Sequence, residues 1–232
     1  MHFSIPVAFL ITSELDPRAH LLTPREEPLQ VTVQLRTKIA AYLATAFGVR
    51  ARDTYAIIPS TLKQWGRVLI SGGGDLIHAR GHHSLRSDGR DASFVRVSSN
   101  FINQPTSTLT HLLQYELLVD QDAHRPRAPE RLKAVSHYGQ LEHLFALPLA
   151  PRSLLNKERR SRTLLLALIK EAPIKAESTY QYPVVWYDQD LGSGEVVDAQ
   201  TIQCVVGRVH DKKRYWIIDR SADCELTFPM FK

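Results

Sequence analysis

Ile202 to Asp219 reads IQCVVGRVHDKKRYWIID. Ile202, Cys204 and Val206 alternate with Gln203, Val205 and Gly207, the period-two pattern of a pleated strand. Tyr215 and Ile217 alternate in the same way with Trp216 and Ile218. The polar segment between the two runs, His210 to Lys213, is short enough to make them the arms of a β-hairpin. The fold expected from this stretch is α+β: a mostly antiparallel β-barrel or bent sheet with a small N-terminal helical segment.

Outward from the hairpin, the β pattern continues toward the N-terminus. Glu195 to Asp198 and Val184 to Tyr187 are strand-like, with Gly192, Ser193 and Gly194 as a turn between them. Leu164 to Ile169 is continuously apolar, so it is a fully buried strand or a short buried helix. HYGQLEHLFAL, from His137 to Leu147, puts Leu141, Phe145 and Leu147 on one strand face, with Gly139 at a bend or bulge. Asp75 to Arg80 and Arg67 to Ile70 flank three glycines. The tetrapeptide GGGD is a turn between strands rather than a phosphate loop, since no Lys-Ser or Lys-Thr follows and no helix opens behind it. Further upstream the period changes. Thr54 to Trp65 is predicted as a short helical piece interrupted at Pro59. Leu35, Ile39, Leu43 and Phe47 recur every four residues and Gly48 follows as a stop, which predicts a helix over 31–47. Residues 1–30 are spaced by prolines and read as a linker or a remnant of something longer. The expected organisation is a linker over 1–30, a helical segment over 31–66 and a β-rich domain over 67–232, with an apolar tail from Phe228 to Phe231.

The β-rich part carries an interruption. DASFVR ends at Arg96 and YELLVD begins at Tyr115, and both are strand-like. The 18 residues between them, VSSNFINQPTSTLTHLLQ, contain no Asp, Glu, Lys or Arg. Joining the flanks gives SFVRYELLVD, in which Val95, Tyr115, Leu117 and Val119 share a face. Eighteen residues are 54 nucleotides. Val97-Ser98 can be written GTG-AGT and Gln114 CAG, the ends of a spliceosomal intron. Residues 97–114 therefore read as a retained in-frame intron, against the alternative of a surface loop of the kind folds tolerate.

The totals bound the function. A 232-residue chain with 44% hydrophobic and 23% charged residues has the composition of an ordinary globular protein. A net charge of +5 biases it toward acidic partners such as nucleic acid. Cys204 and Cys224 form no CxxC pair, which argues against a zinc ribbon or a disulfide framework and for a reducing compartment. No apolar run reaches the roughly 20 residues of a membrane span, and no Lys or Arg precedes the apolar stretch near the start, so neither a membrane partner nor a signal peptide is expected. The expected location is intracellular, nuclear or cytoplasmic.

LRTKIAAYLATAFGV, QWGRV, GGGDLIHAR, RDASFVR, YELLVD, HYGQLEHLFAL, EVVD and IQCVVGRVHDKKRYWIIDR, in this order, resemble a module of fungal transposon-associated proteins. The likeness covers about residues 30–220. Its later half is remotely similar to the C-terminal domain of CACTA-type transposon proteins. The resemblance implies an accessory domain of a transposase-like chain, with no catalytic residues of its own and no cofactor.

The candidate binding residues are basic and aromatic. Arg208, Lys212, Lys213, Arg214 and Trp216 lie in and beside the hairpin turn, where positive charge neutralises phosphate and an aromatic ring stacks on a base. Lys157, Arg159 and Arg160, with Arg162 nearby, could extend the stripe. Such residues also serve merely to keep a hairpin tip or a loop solvated. The partner expected is DNA, or a chromatin or protein surface. A rival reading is a metal-dependent nuclease or related hydrolase built on Asp75, Asp120, Asp198 and Asp219, which all end β-like runs, although Asp is common wherever strands stop. A third is a degenerate reading frame. His78, His82 and His83 match no common metal spacing, and Cys204, inside an apolar strand, reads as a structural thiol. Ser93 and Ser221 lack the context of a nucleophile. No catalytic or metal site and no small-molecule cofactor is expected.

Overall fold

The computed structural model describes residues 11–12, 19–24, 27–70, 75–80, 92–98, 118–120, 132–134, 136–177 and 184–219. The glycine turn at 72–74, His82, His83, most of the 97–114 segment, Ser221, Cys224 and the tail from Phe228 lie outside these residues.

The described elements are strands β1 (Ile11–Thr12), β2 (Ala19–Pro24) and β3 (Leu29–Gln30), helices α1 (Val33–Phe47) and α2 (Ala51–Thr54), then thirteen further strands. Those are β4 (Thr61–Ile70), β5 (Leu76–His78), β6 (Phe94–Ser98), β7 (Leu118–Asp120), β8 (Leu132–Ala134), β9 (Ser136–Leu149), β10 (Arg162–Glu171), β11 (Lys175–Glu177), β12 (Val184–Tyr187), β13 (Glu195–Asp198), β14 (Ile202–Val205), β15 (Gly207–Asp211) and β16 (Arg214–Ile218). The expected class holds: strands dominate, every described pairing is antiparallel, and one long helix lies near the N-terminus. The sheets are open rather than closed into a barrel. The large sheet runs β1-β2-β4-β9-β10-β13 and ends at β1 and β13.

The centre is the β9–β10 pair. β10 is apolar on both faces because both are covered. Leu165, Ala167 and Ile169 enter one core with Leu144 and Val95, and Leu164 and Leu166 enter another with Leu35, Ile39 and Leu43 of α1. That helix starts at Thr32, whose Oγ1 accepts from the Leu35 N–H at 3.2 Å, and stops at Gly48 with φ of 63°.

Three expectations are corrected. Thr61 to Trp65 is strand, not helix, and forms one strand, β4, with the expected Arg67 to Ile70. Ile58, Leu62 and Trp65 mimic helical spacing, but β4 pairs with β2 on one side and β9 on the other, and Thr61 to Gln64 alternates exposed and buried. Tertiary pairing overrides the local pattern. The segment read as linker contains β1, β2 and β3, of which β2 and β3 pair with β4. Finally, Leu141 does not share a face with Phe145 and Leu147. The β9–β10 register slips between Leu168↔His143 and Ile169↔Leu141, leaving Glu142 as an extra residue. This bulge reverses the alternation, so Leu141 joins the first core while Phe145 and Leu147 join the second. Gly139 is instead a point of close approach: a Cβ there would lie 2.6 Å from the Lys170 carbonyl oxygen.

The opening stretch divides between two sheets. β14 pairs with β6 in the large sheet, and the buried Val206 donates its N–H to the Phe94 carbonyl at 2.9 Å. At Gly207 the chain leaves for a four-stranded sheet ordered β11-β12-β16-β15. The hairpin is thus Gly207–Asp211 against Arg214–Ile218, with Lys212 and Lys213 alone in the turn.

Candidate nucleic-acid interface

In an antiparallel sheet, residues paired directly project on the same side. The four-stranded sheet pairs Lys175 with Trp186, Trp186 with Trp216, and Trp216 with Val209. These four make a row across one face. The neighbouring row, Tyr187, Tyr215 and His210, belongs to the opposite face.

The inner face packs on the rest of the molecule. Tyr187 and Ile217 are buried with Phe94, Ala172 and Val206. Tyr187 stacks on Phe94 with centroids 5.9 Å apart and on Tyr215 at 5.0 Å. Arg208 belongs here too. Its guanidinium lies 5.1 Å from the centroids of both Phe94 and Tyr215, and its Nη1 donates to the Tyr187 hydroxyl at 3.0 Å. The sequence groups Arg208 with the basic residues of the turn, but the register turns it inward.

The outer face is open. Val209 is 47% exposed and Ile218 48%. Trp186 and Trp216 are half-buried, with ring centroids 6.2 Å apart and planes at 49°. The Arg214 guanidinium lies 4.1 Å from the Trp186 centroid and 5.9 Å from that of Trp216. The Lys175 ammonium lies 5.0 Å from Trp186 and is held by Asp188 at 2.7 and 2.9 Å. The Trp186 indole N–H is occluded and has no acceptor among the described residues. Lys212 and Lys213 are exposed at the tip, Lys212 with φ of 54°. Of the residues picked from the sequence, Arg214, Trp216, Lys212 and Lys213 are therefore brought together. Trp186 and Lys175 join them, and only the pairing of β12 with β16 reveals it.

The second basic cluster is elsewhere. Lys157, Arg159 and Arg160 are exposed in the loop between β9 and β10. The four-stranded sheet meets that pair at its other end, where Ala172 donates its N–H to the Tyr138 carbonyl. The ten residues of β10 separate them, roughly 30 Å at about 3.3 Å per residue. No continuous stripe forms.

The acidic candidates have structural work. Asp75 accepts from the Val205 N–H at 2.9 Å. Asp219 accepts from Arg96 Nη1 at 2.9 Å and from the Tyr138 hydroxyl at 3.0 Å. Burial, then the Asp219 charge and hydrogen bond, push the Tyr138 phenol up to about 12. Asp198 accepts from the Gln200 N–H at 2.9 Å and faces Tyr42, whose hydroxyl is 3.5 Å away. Burial first, and Asp198 second, raise the Tyr42 phenol as well. Asp198 and Tyr42 border a cavity of about 480 Å³ between α1 and β13, where His137 Nδ1 also meets Glu171 at 3.0 Å. Asp120 ends β7, in a separate two-stranded sheet. Among the described residues no three His, Cys, Asp or Glu side chains converge as metal ligands, and no helix is long and apolar enough to cross a membrane. His78 is buried in β5, and Cys204 is half-buried beside the third core. No protein-family model, curated protein or solved structure matches this chain.

Proposed function

We propose that this chain is a non-catalytic binding module that contacts nucleic acid through the outer face of its four-stranded sheet. The proposal keeps the accessory role that the sequence resemblance implies. One observation carries the reading: two adjacent tryptophans on an open sheet face, with a guanidinium against both rings. Flat rings accept bases by stacking, each worth about 1–3 kcal/mol, while Arg and Lys beside them meet phosphate. Arg214 and Lys175 cover Trp186 in the absence of ligand. Their long side chains can swing to phosphates as a base takes their place. Two rings on neighbouring strands match splayed, unpaired bases better than the closed stack of a duplex.

Fluorescence anisotropy with a single-stranded oligonucleotide and its duplex, at two salt concentrations, tests this. The expected result is tighter binding of the single strand, weakened by salt, and weakened about tenfold or more in Trp186→Ala and Trp216→Ala. Absence of binding to either probe at low salt would end the nucleic-acid reading. A protein partner is then first choice, since Val209 and Ile218 are exposed on the same face and β15 is a sheet edge.

A further inference from the structure

We infer that residues 97–114 are an in-frame insertion into a single strand, and that the shorter chain is the one for which this fold is built. The strand register carries the inference. β6 pairs with β9 so that Phe94 faces Gln140 and Ser98 faces Ser136. β7 pairs with β8 so that Leu118 faces Ala134 and Asp120 faces Leu132. From Ser136 to Ala134 the partner side advances two residues, while from Ser98 to Leu118 the other side advances twenty. The excess is eighteen residues. Eighteen is also the number of residues whose removal joins SFVR to YELLVD. The run free of Asp, Glu, Lys and Arg is one residue longer and ends at Tyr115, and GTG-AGT and CAG are encodings open to Val97-Ser98 and Gln114. The pairing gives this length from the partner strands, and the sequence gives it from the join that places Val95, Tyr115, Leu117 and Val119 on one face.

Excision would leave Arg96 followed by Tyr115. The joined strand, Phe94 to Arg96 and Tyr115 to Asp120, would then pair without a step from Gln140 down to Leu132. An even number of residues also preserves the alternation of faces. Val95 is wholly buried in the first core, and Tyr115, Leu117 and Val119 would continue its face. A surface loop of any length leaves some such excess, so the weight rests on its agreement with the join of SFVR to YELLVD.

Three chains test this: the full one, one lacking residues 97–114, and one lacking 98–114, which removes seventeen residues. The eighteen-residue deletion is expected to fold with an unfolding midpoint at or above that of the full chain. The seventeen-residue deletion is expected to melt lower, because it moves the side chains of the joined strand from Tyr115 to Asp120 to the wrong face. The inference is overturned if the eighteen-residue deletion melts below the full chain, or no higher than its odd-length control. Sequencing of messages addresses the origin of the segment. Transcripts shorter by 54 nucleotides support a retained intron, and uniform presence of those nucleotides refutes it.

Discussion

Arg208 and Arg214 are both arginines of one hairpin, six residues apart, and the register gives them opposite tasks. Asp211 pairs with Arg214 while Arg208 pairs with Ile217, so the two side chains leave the sheet on opposite sides. Arg208 is clamped by two rings and a phenol hydroxyl. Arg208→Ala is expected to cost about 2 kcal/mol of stability, from a cation–π contact and a hydrogen bond lost together. Urea denaturation measures it. Arg214→Ala is expected to change stability by less than about 1 kcal/mol, while lowering oligonucleotide affinity and flattening its salt dependence. A pair of variants that lose affinity equally with unchanged stability would show that the two faces are wrongly assigned.

At the scale of elements, α1 was legible in the sequence because its pattern is long and unmixed, and 137–147 was legible as a strand, whereas the apolar run of β10 fitted a strand or a short buried helix equally until its pairing with β9. Leu35, Ile39 and Leu43 recur every four residues and Gly48 stops them, so the helix is where the spacing puts it. Two features were hidden for physical reasons. A bulge such as that at Glu142 is set by the partner strand, so counting alternate residues along β9 cannot find it. The tryptophan pair of the candidate site joins residues 30 apart in sequence, and only the docking of β12 on β16 makes them neighbours. The same dependence on partners explains Gly139, where the missing side chain answers to β10 rather than to a turn. A Cβ there would press on the Lys170 carbonyl and on Ile169 Cγ2 at 2.7 Å, both in the ladder that holds β9. Gly139→Ala is expected to destabilise by about 1–3 kcal/mol through overpacking. Its unfolding midpoint checks this, and a midpoint equal to that of the parent would mean that β9 and β10 are not so closely apposed.

Across the whole molecule, the cores are linked by partly buried polar contacts as well as by apolar ones, and these make stability depend on pH. Tyr138 on β9, Arg96 on β6 and Asp219 after β16 form one such link between the large sheet and the four-stranded one. The Tyr138 phenol rises from an ordinary 10.0 to about 12, and Tyr42 between α1 and β13 is raised too. A raised phenol means that the folded state holds its proton more tightly than the unfolded chain. Its contribution is therefore complete below pH 10, and is lost as pH climbs through about 12. Denaturant midpoints should be nearly level through neutral pH so far as these groups are concerned, then fall across that alkaline window. Absorbance of tyrosinate should show Tyr42 and Tyr138 ionising late among the eight tyrosines. Tyr138→Phe keeps the ring and leaves the Arg96–Asp219 pair intact, so the slope of midpoint against pH should become shallower between about 10 and 12. An equally steep slope in that variant would mean that another group carries the alkaline loss, and that the link through Asp219 does not hold the two sheets together.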